Sequence, residues 1–181
     1  MRFSIFQTDF GHMGVVYWTR GGISRATRIF LPGPETRIRT RIRHDSPNAM
    51  EAHGDEVSEL IRHIQHFFQG SREHIPMDFV DMNVCTDFQL GVLLAERQIP
   101  YGKTASYTWL ANRAGTRGVR AVGNALATNP FPIVVPCHRA IKSNQTIGKY
   151  QGGFEMKRRI LEFEGVRFDS RGRVLRDDFL G

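Results

Sequence analysis

Deprotonated cysteine is a strong nucleophile, and one cysteine of this chain has neighbours suited to deprotonating it. Cys137 lies in Pro136-Cys137-His138-Arg139, immediately after the apolar run FPIVV. An imidazole beside a thiol can take its proton, and a guanidinium favours the anion. The pattern therefore predicts a thiol pKa below the ordinary value of about 8.5 and a raised thiolate fraction. A cysteine that ends an apolar strand is otherwise a small buried hydrophobe. Proline, histidine and arginine packed around it favour the reactive reading.

The remaining composition narrows the chemistry. Two cysteines, Cys85 and Cys137, are too few for a disulfide framework, and no CxxC or closely spaced Cys/His set offers a metal site. Of the seven histidines, His53, His63, His66 and His74 cluster at one predicted helix, where solvated surface positions explain them better than a metal does. No glycine-rich nucleotide loop is present, so no cofactor is expected. No apolar run reaches about 18 residues, and MRFSIFQTDFGH lacks a basic stretch followed by an apolar segment. The expectation is a protein without a membrane span or signal peptide, cytoplasmic, or nuclear in a eukaryote.

The chain of 181 residues carries a net charge of +7, with pI ≈ 10.0. Ten lysines and arginines lie between Tyr101 and Gly165 against three glutamates, so the excess sits in the C-terminal half. An anionic partner is implied for that half. A second basic run, Arg37, Arg39, Arg41 and Arg43, alternates around Ile38 and Ile42 and reads as an edge strand with a solvated polar face.

The elements that must position Cys137 follow from patterning. MRFSIFQT, GVVYWTR and ISRATRIFL are rich in β-branched and aromatic residues and are separated by glycine turns, which predicts a small antiparallel sheet. Apolar residues from Val57 to Phe68 recur at helical spacing over 55–69, and this helix should cover one sheet face. PMDFVDMNVC reads as a short strand and linker, with a domain boundary near Asn83 to Cys85. Thr86 or Asp87 then caps a helix to about Gln98, apolar nearly all round and so expected to be buried. Ser106 caps a short helix stopped by Gly115. A second helix runs from about Thr116 to Thr128 and is stopped by Asn129-Pro130. Two short helices about a glycine turn read as helix-turn-helix. On the second, Val119, Val122 and Leu126 face the packing side, and Arg117, Arg120, Asn124 and Thr128 face outward. That outer face is either an ordinary solvated one or, given the low profile of Gly118, Ala121, Gly123 and Ala125, a surface for close approach to nucleic acid. FPIVV reads as a buried strand leading into the cysteine.

The string IVVPCHRAI, preceded by IPYGKTASY and RAVGNALATNP and followed by IGKYQGG and LEFEG, resembles the O6-alkylguanine-DNA alkyltransferase family, the methylated-DNA-protein-cysteine methyltransferases. The resemblance is close from about Phe88 to Gly165. It implies an α+β fold: residues 1–84 form a supporting domain with a ribonuclease-H-like layout, residues 85–166 a winged-helix-like DNA-binding alkyltransferase domain, and 167–181 a tail of unassigned role.

It also implies roles. Cys137 is the alkyl acceptor, relayed through water to His138, with Glu164 orienting that histidine; without the resemblance Glu164 reads as a surface helix-end carboxylate. Tyr107 donates to the leaving guanine, although its register with Leu110, Ala111 and Ala114 would equally suit a core residue. Asn129 joins the second helix to the active-site strand. Tyr150, the Gln151 amide and the Ala140 carbonyl form the guanine pocket. Arg120 fills the gap left by a flipped base, with Thr108, Gly115, Arg117 and Ser143 on the same DNA face. The implied activity is direct, single-use transfer of an alkyl group from O6-alkylguanine and O4-alkylthymine in duplex DNA, approached through the minor groove by a monomer, with no cofactor and no metal.

Overall fold

The three N-terminal segments rich in β-branched and aromatic residues, separated by glycine turns, form one sheet. The computed structural model describes residues 1–181. β1 (Arg2–Thr8), β2 (Gly11–Arg20) and β3 (Ile23–Gly33) pair antiparallel, and the short β4 (Met50–Glu51) pairs parallel to β1, giving the order β3-β2-β1-β4. Gly11 and the Gly21-Gly22 pair take positive φ at the two hairpin turns, which a side chain would strain.

The basic run 37–43 is not an edge strand. It forms helix α1 (Glu35–Asp45), with Ile38 and Ile42 buried on one face. A spacing of four is compatible with one face of either a strand or a helix, so the local pattern left the choice open. The sheet decides it: a Cβ on Gly14 would lie 2.8 Å from both Ile38 Cγ2 and Ile42 Cδ1, so α1 seats against β2 where a side chain is missing. The predicted helix over 55–69 is present as a 3-10 turn (Asp55–Val57) leading into α2 (Ser58–Phe68), which buries Leu60, Ile64, Phe67 and Phe68. PMDFVDMNVC, expected to be a short strand, forms two 3-10 turns, Met77–Phe79 and Met82–Val84, with a single bridge from Val80 to Ala26. The Asp81 carboxylate accepts from the Asn83 amide and from Trp18 Nε1, and that local turn competes with extension.

The chain divides into two compact units, residues 1–84 with 130–134, and residues 85–129 with 135–181. In the second, Thr86 caps α3 (Asp87–Glu96) by accepting from the Gln89 amide. This helix was expected to be buried all round. Phe88 and Leu94 are instead exposed at 44% and 47%, and the side carrying Val92, Leu93 and Ala95 packs inward. β5 (Thr104–Ser106) leads into α4 (Tyr107–Arg113), whose cap, Ser106, accepts from the Trp109 amide. After Gly115, at φ 69°, α5 (Val119–Ala127) completes the helix-turn-helix. It begins later than Thr116, and Val119 is exposed rather than packed with Val122 and Leu126.

The run before the cysteine is buried as expected but is not a strand. Pro130, Pro132 and Pro136 deprive it of ladder donors, and the chain turns with Ile133 at φ 76°. Beyond it lie β6 (Ala140–Ile141), α6 (Phe154–Phe163) and, from the tail, β7 (Phe179–Leu180). The tail is structural: β7 pairs parallel to β5 in the sheet β6-β5-β7. Thr104 Oγ1 donates to the Asp178 carbonyl (2.9 Å) and Ser106 Oγ to the Gly181 carbonyl (2.8 Å). Val174 and Phe179 join Ile141, Ile147, Leu161 and Val166 in one core cluster. The overall class is α+β, as the sequence implied.

Candidate active site

Cys137 opens a 3-10 turn, Cys137–Arg139, that contacts both α3 and α6. The residue is 4% exposed, yet it lines a cavity of ≈ 390 Å³ walled by Tyr107 of α4, by Val119, Arg120 and Asn124 of α5, and by the loop Gly148–Gln151. That volume suits one small organic ligand; such sites run to about 300–1,000 Å³. The thiol is therefore buried but faces an opening.

Behind it, burial gives the charged groups fixed partners. His138 Nε2 donates to Glu164 Oε1 at 2.8 Å, with both side chains buried. Nδ1, on the opposite edge of the ring, is buried as well. Arg139 does not point at the thiol: its Nε and Nη2 grip the Glu164 carboxylate at 2.9 Å each, and its Nη1 donates to the Ile99 carbonyl at 2.7 Å. The Gly102 amide adds a further donor to Glu164 at 3.2 Å. Burial alone would push the Glu164 carboxyl up, but His138 and Arg139 outweigh it and hold it at about 2. Glu164 is a buried carboxylate, not a surface helix end. Burial lowers the His138 pKa despite Glu164, so the resting imidazole is neutral.

The expected low thiol pKa is overturned. Burial pushes Cys137 up to about 12, and Glu96 pushes the same way; a hydrogen bond from Asn129 and the charge of Lys157 oppose them. Sequence adjacency misled because Arg139 spends its charge on Glu164. The resting site is thus a neutral thiol near a neutral imidazole whose far nitrogen is anchored on a carboxylate. Such a site does not store a thiolate.

Of the expected pocket residues, Tyr107, Tyr150 and Gln151 line the cavity and Ala140 does not. Burial holds the Tyr107 phenol up at about 12, so it remains a donor at neutral pH. A Cβ on Gly148 would lie 2.7 Å from Tyr107 Oη, so the phenol occupies space that only glycine leaves. Asn129 Nδ2 donates to the Val135 carbonyl at 3.0 Å, tying the end of α5 to the turn before Cys137. Tyr150 and Gln151 line the cavity, and the Gln151 side chain donates to the Asn129 carbonyl at 2.9 Å. The Ala140 carbonyl accepts from buried Lys157 Nζ. Arg120 is exposed at the cavity edge. Thr108 and Ser143 are exposed with their hydroxyls 3.4 Å apart; Arg117 is exposed just before α5 and Gly115 forms the turn, and none of these four lines the cavity.

Sequence reasoning missed Lys157, Gly148, Glu96 and the cavity positions Val119 and Lys142. Lys157 and Glu96 are charged residues within ordinary helical runs, so nothing local marks them as buried. Gly148 stands in the loop string IGKYQGG, but its necessity comes from a phenol far away in sequence.

Comparison with known proteins agrees with this geometry. The family model of the 6-O-methylguanine DNA methyltransferase DNA-binding domain matches residues 87–166, the stretch that contains the helix-turn-helix, Cys137 and Glu164. In this α+β protein the stretch that surrounds Cys137 is therefore similar to that domain. The methylated-DNA–protein-cysteine methyltransferase of Methanothermobacter thermautotrophicus is 40% identical over 113 residues, which cover 62% of this chain and 64% of that protein. The matched stretch thus spans a little under two thirds of that relative's length. The crystal structure of Mycobacterium tuberculosis O6-methylguanine methyltransferase superposes with TM-score 0.69 at 28% identity, over 93% of this chain and 95% of that one. Mycobacterium tuberculosis OGT in complex with DNA superposes with TM-score 0.71 at 26% identity, over 91% and 92%. Over residues 87–166 the chain is thus similar to the DNA-binding domain of the 6-O-methylguanine DNA methyltransferases, and its fold to those of the two mycobacterial structures.

Proposed function

We propose that this protein repairs DNA by direct reversal, moving the alkyl group of O6-alkylguanine, and of O4-alkylthymine, irreversibly onto Cys137 once per molecule. The observation that carries the reading is the placement of the Cys137 thiol on a base-sized cavity beside Tyr107, with Arg120 at its edge and the His138–Glu164 pair behind it. The relative's name and the neighbour's DNA complex support a methylated-DNA substrate.

In this reading a monomer lays α5 in the minor groove of duplex DNA. Thr108, Gly115, Arg117 and Ser143 contact the backbone beside it, where exposed hydroxyls, a turn amide and a cation suit phosphates. The damaged base leaves the stack, at about a few kcal/mol, and Arg120 fills the gap. The base enters between Tyr107 and Tyr150, offering its exocyclic amine to the Ala140 carbonyl and O6 to the Gln151 amide. Sγ attacks the alkyl carbon as the carbon–O6 bond breaks. The thiol proton passes through water to His138, whose imidazolium the ionised Glu164 stabilises. The electron pair left on the guanine is met by the Tyr107 phenol, which burial keeps protonated. In net terms the thiol hydrogen replaces the alkyl group on the base, and a thioether remains.

A neutral resting thiol fits this sequence. The nucleophile forms only when its proton has somewhere to go and an alkyl carbon is at hand, which guards against unproductive alkylation. Intact-mass measurement after incubation with an O6-methylguanine oligonucleotide tests the assignment: one added methyl mapped to Cys137 is expected, and an unchanged mass or a methyl elsewhere refutes it.

A further inference from the structure

Glu96 closes α3 with both carboxylate oxygens buried and in no well-formed hydrogen bond, although the Ala140 amide is close enough to favour its ionised form. A carboxyl held that way is unfavourable, and leucine would pack there at no such cost. Departures of this kind are expected where charge has a use. The groups around it come from every neighbouring element. Cys137 and Arg139 lie on the reactive turn, the Ala140 amide opens β6, Lys157 projects from α6, Tyr107 from α4 and Tyr150 from the pocket loop. Lys157 makes no ion pair with Glu96; its ammonium donates to the Ala140 carbonyl. Arg139, the other cation, is held by Glu164.

We propose that Glu96 is a positioning residue that controls the alkyl acceptor through charge: protonated, it leaves Lys157 as the net buried cation supporting a Cys137 thiolate, and ionised, it cancels that support. The inference rests on Cys137 being the acceptor of the repair reaction. Its direction follows from charge balance. With Glu96 protonated, Lys157 and a thiolate sum to zero; with Glu96 ionised, the same thiolate leaves a buried net negative charge, which a low-dielectric interior resists. Burial pushes Glu96 up to about 8, against the pull of Lys157 and Arg139, and burial brings Lys157 down to about 8. The change therefore falls in an accessible pH range. Reactivity of Cys137 should therefore rise by less than about tenfold per pH unit above pH 8, the gain expected of a thiol still mostly protonated there.

The test compares wild type with Glu96→Gln and Glu96→Leu, all in a Cys85→Ser background, by the rate of Cys137 alkylation with iodoacetamide from pH 6 to 10, alongside methyl transfer from an O6-methylguanine oligonucleotide. Removing the carboxylate should leave rates at pH 6 within about twofold and raise them roughly tenfold at pH 9, corresponding to one pKa unit. A purely structural role would instead change the rates at all pH values alike. Superimposable profiles, or a loss that is uniform with pH in both variants, would overturn the proposal. If iodoacetamide shows the pH-selective gain while wild type transfers no methyl group, Glu96 control stands and the repair assignment falls.

Discussion

Replacing Glu164 by glutamine removes the charge that His138 and Arg139 share while keeping the side chain's shape. The magnitude follows from two routes. The Glu164 carboxyl sits at about 2 in the folded protein against an ordinary 4.5; at about 1.4 kcal/mol per unit that difference is worth roughly 3 kcal/mol at neutral pH. Independently, breaking a buried ion pair strands the partner charge, here a guanidinium whose side chain is 6% exposed, at about 3–5 kcal/mol. The folded-state value lies below the unfolded one, so this stability is fully present above about pH 4.5 and is lost as pH falls toward 2. Glutamine does not titrate, so the gap between wild type and Glu164→Gln should be widest at pH 7 and narrow below pH 4.5. Urea denaturation of both proteins from pH 7 down to about pH 2.5 measures it. A loss under about 1 kcal/mol at pH 7, or a gap that stays constant with pH, would refute the argument that this carboxylate balances the buried charges. Methyl transfer should fall in the same variant, because the imidazolium loses its counter-charge.

Cys137→Ala should bind methylated duplex yet gain no methyl by intact mass; labelling that persists would mean another acceptor. Arg120→Ala should slow repair of duplex far more than reaction with free O6-benzylguanine, since only the duplex requires extrusion of a base, and equal losses would remove its gap-filling role. Gly148→Ala sets a methyl 2.7 Å from Tyr107 Oη, so methyl transfer in a single-turnover assay should drop at least as far as in Tyr107→Phe; a rate near wild type would show that the phenol's position is not critical. Phe179→Ala in the tail should lower stability by about 3 kcal/mol in urea, as expected for a buried aromatic, and a change under about 1 kcal/mol would mean that β7 is not part of the core.

Much of the framework could be read directly from the residues. Ser106 and Thr86, the latter one of two candidate caps, cap the expected helices, α2 buries its periodic apolar residues, and the first three strands run where the β-branched and aromatic segments place them. These features depend on contacts within a few residues, which a linear pattern records. The string around Cys137 likewise pointed to a nucleophile, because residue types set which reactions are possible. Two readings failed where the answer lay in distant partners, and a third where local prolines outweighed apolarity. Ile38 and Ile42 suit a strand or a helix until Gly14 offers α1 a seat. FPIVV is apolar enough for a strand, but its prolines forbid the ladder and it turns instead. Arg139 is two residues from Cys137 in sequence, yet its guanidinium is committed to Glu164 and Ile99. Sequence alone determined that a thiol, an imidazole and a carboxylate were present. Only the tertiary structure decided their protonation, because burial and the direction of each side chain set the local field, and neither is encoded by adjacency along the chain.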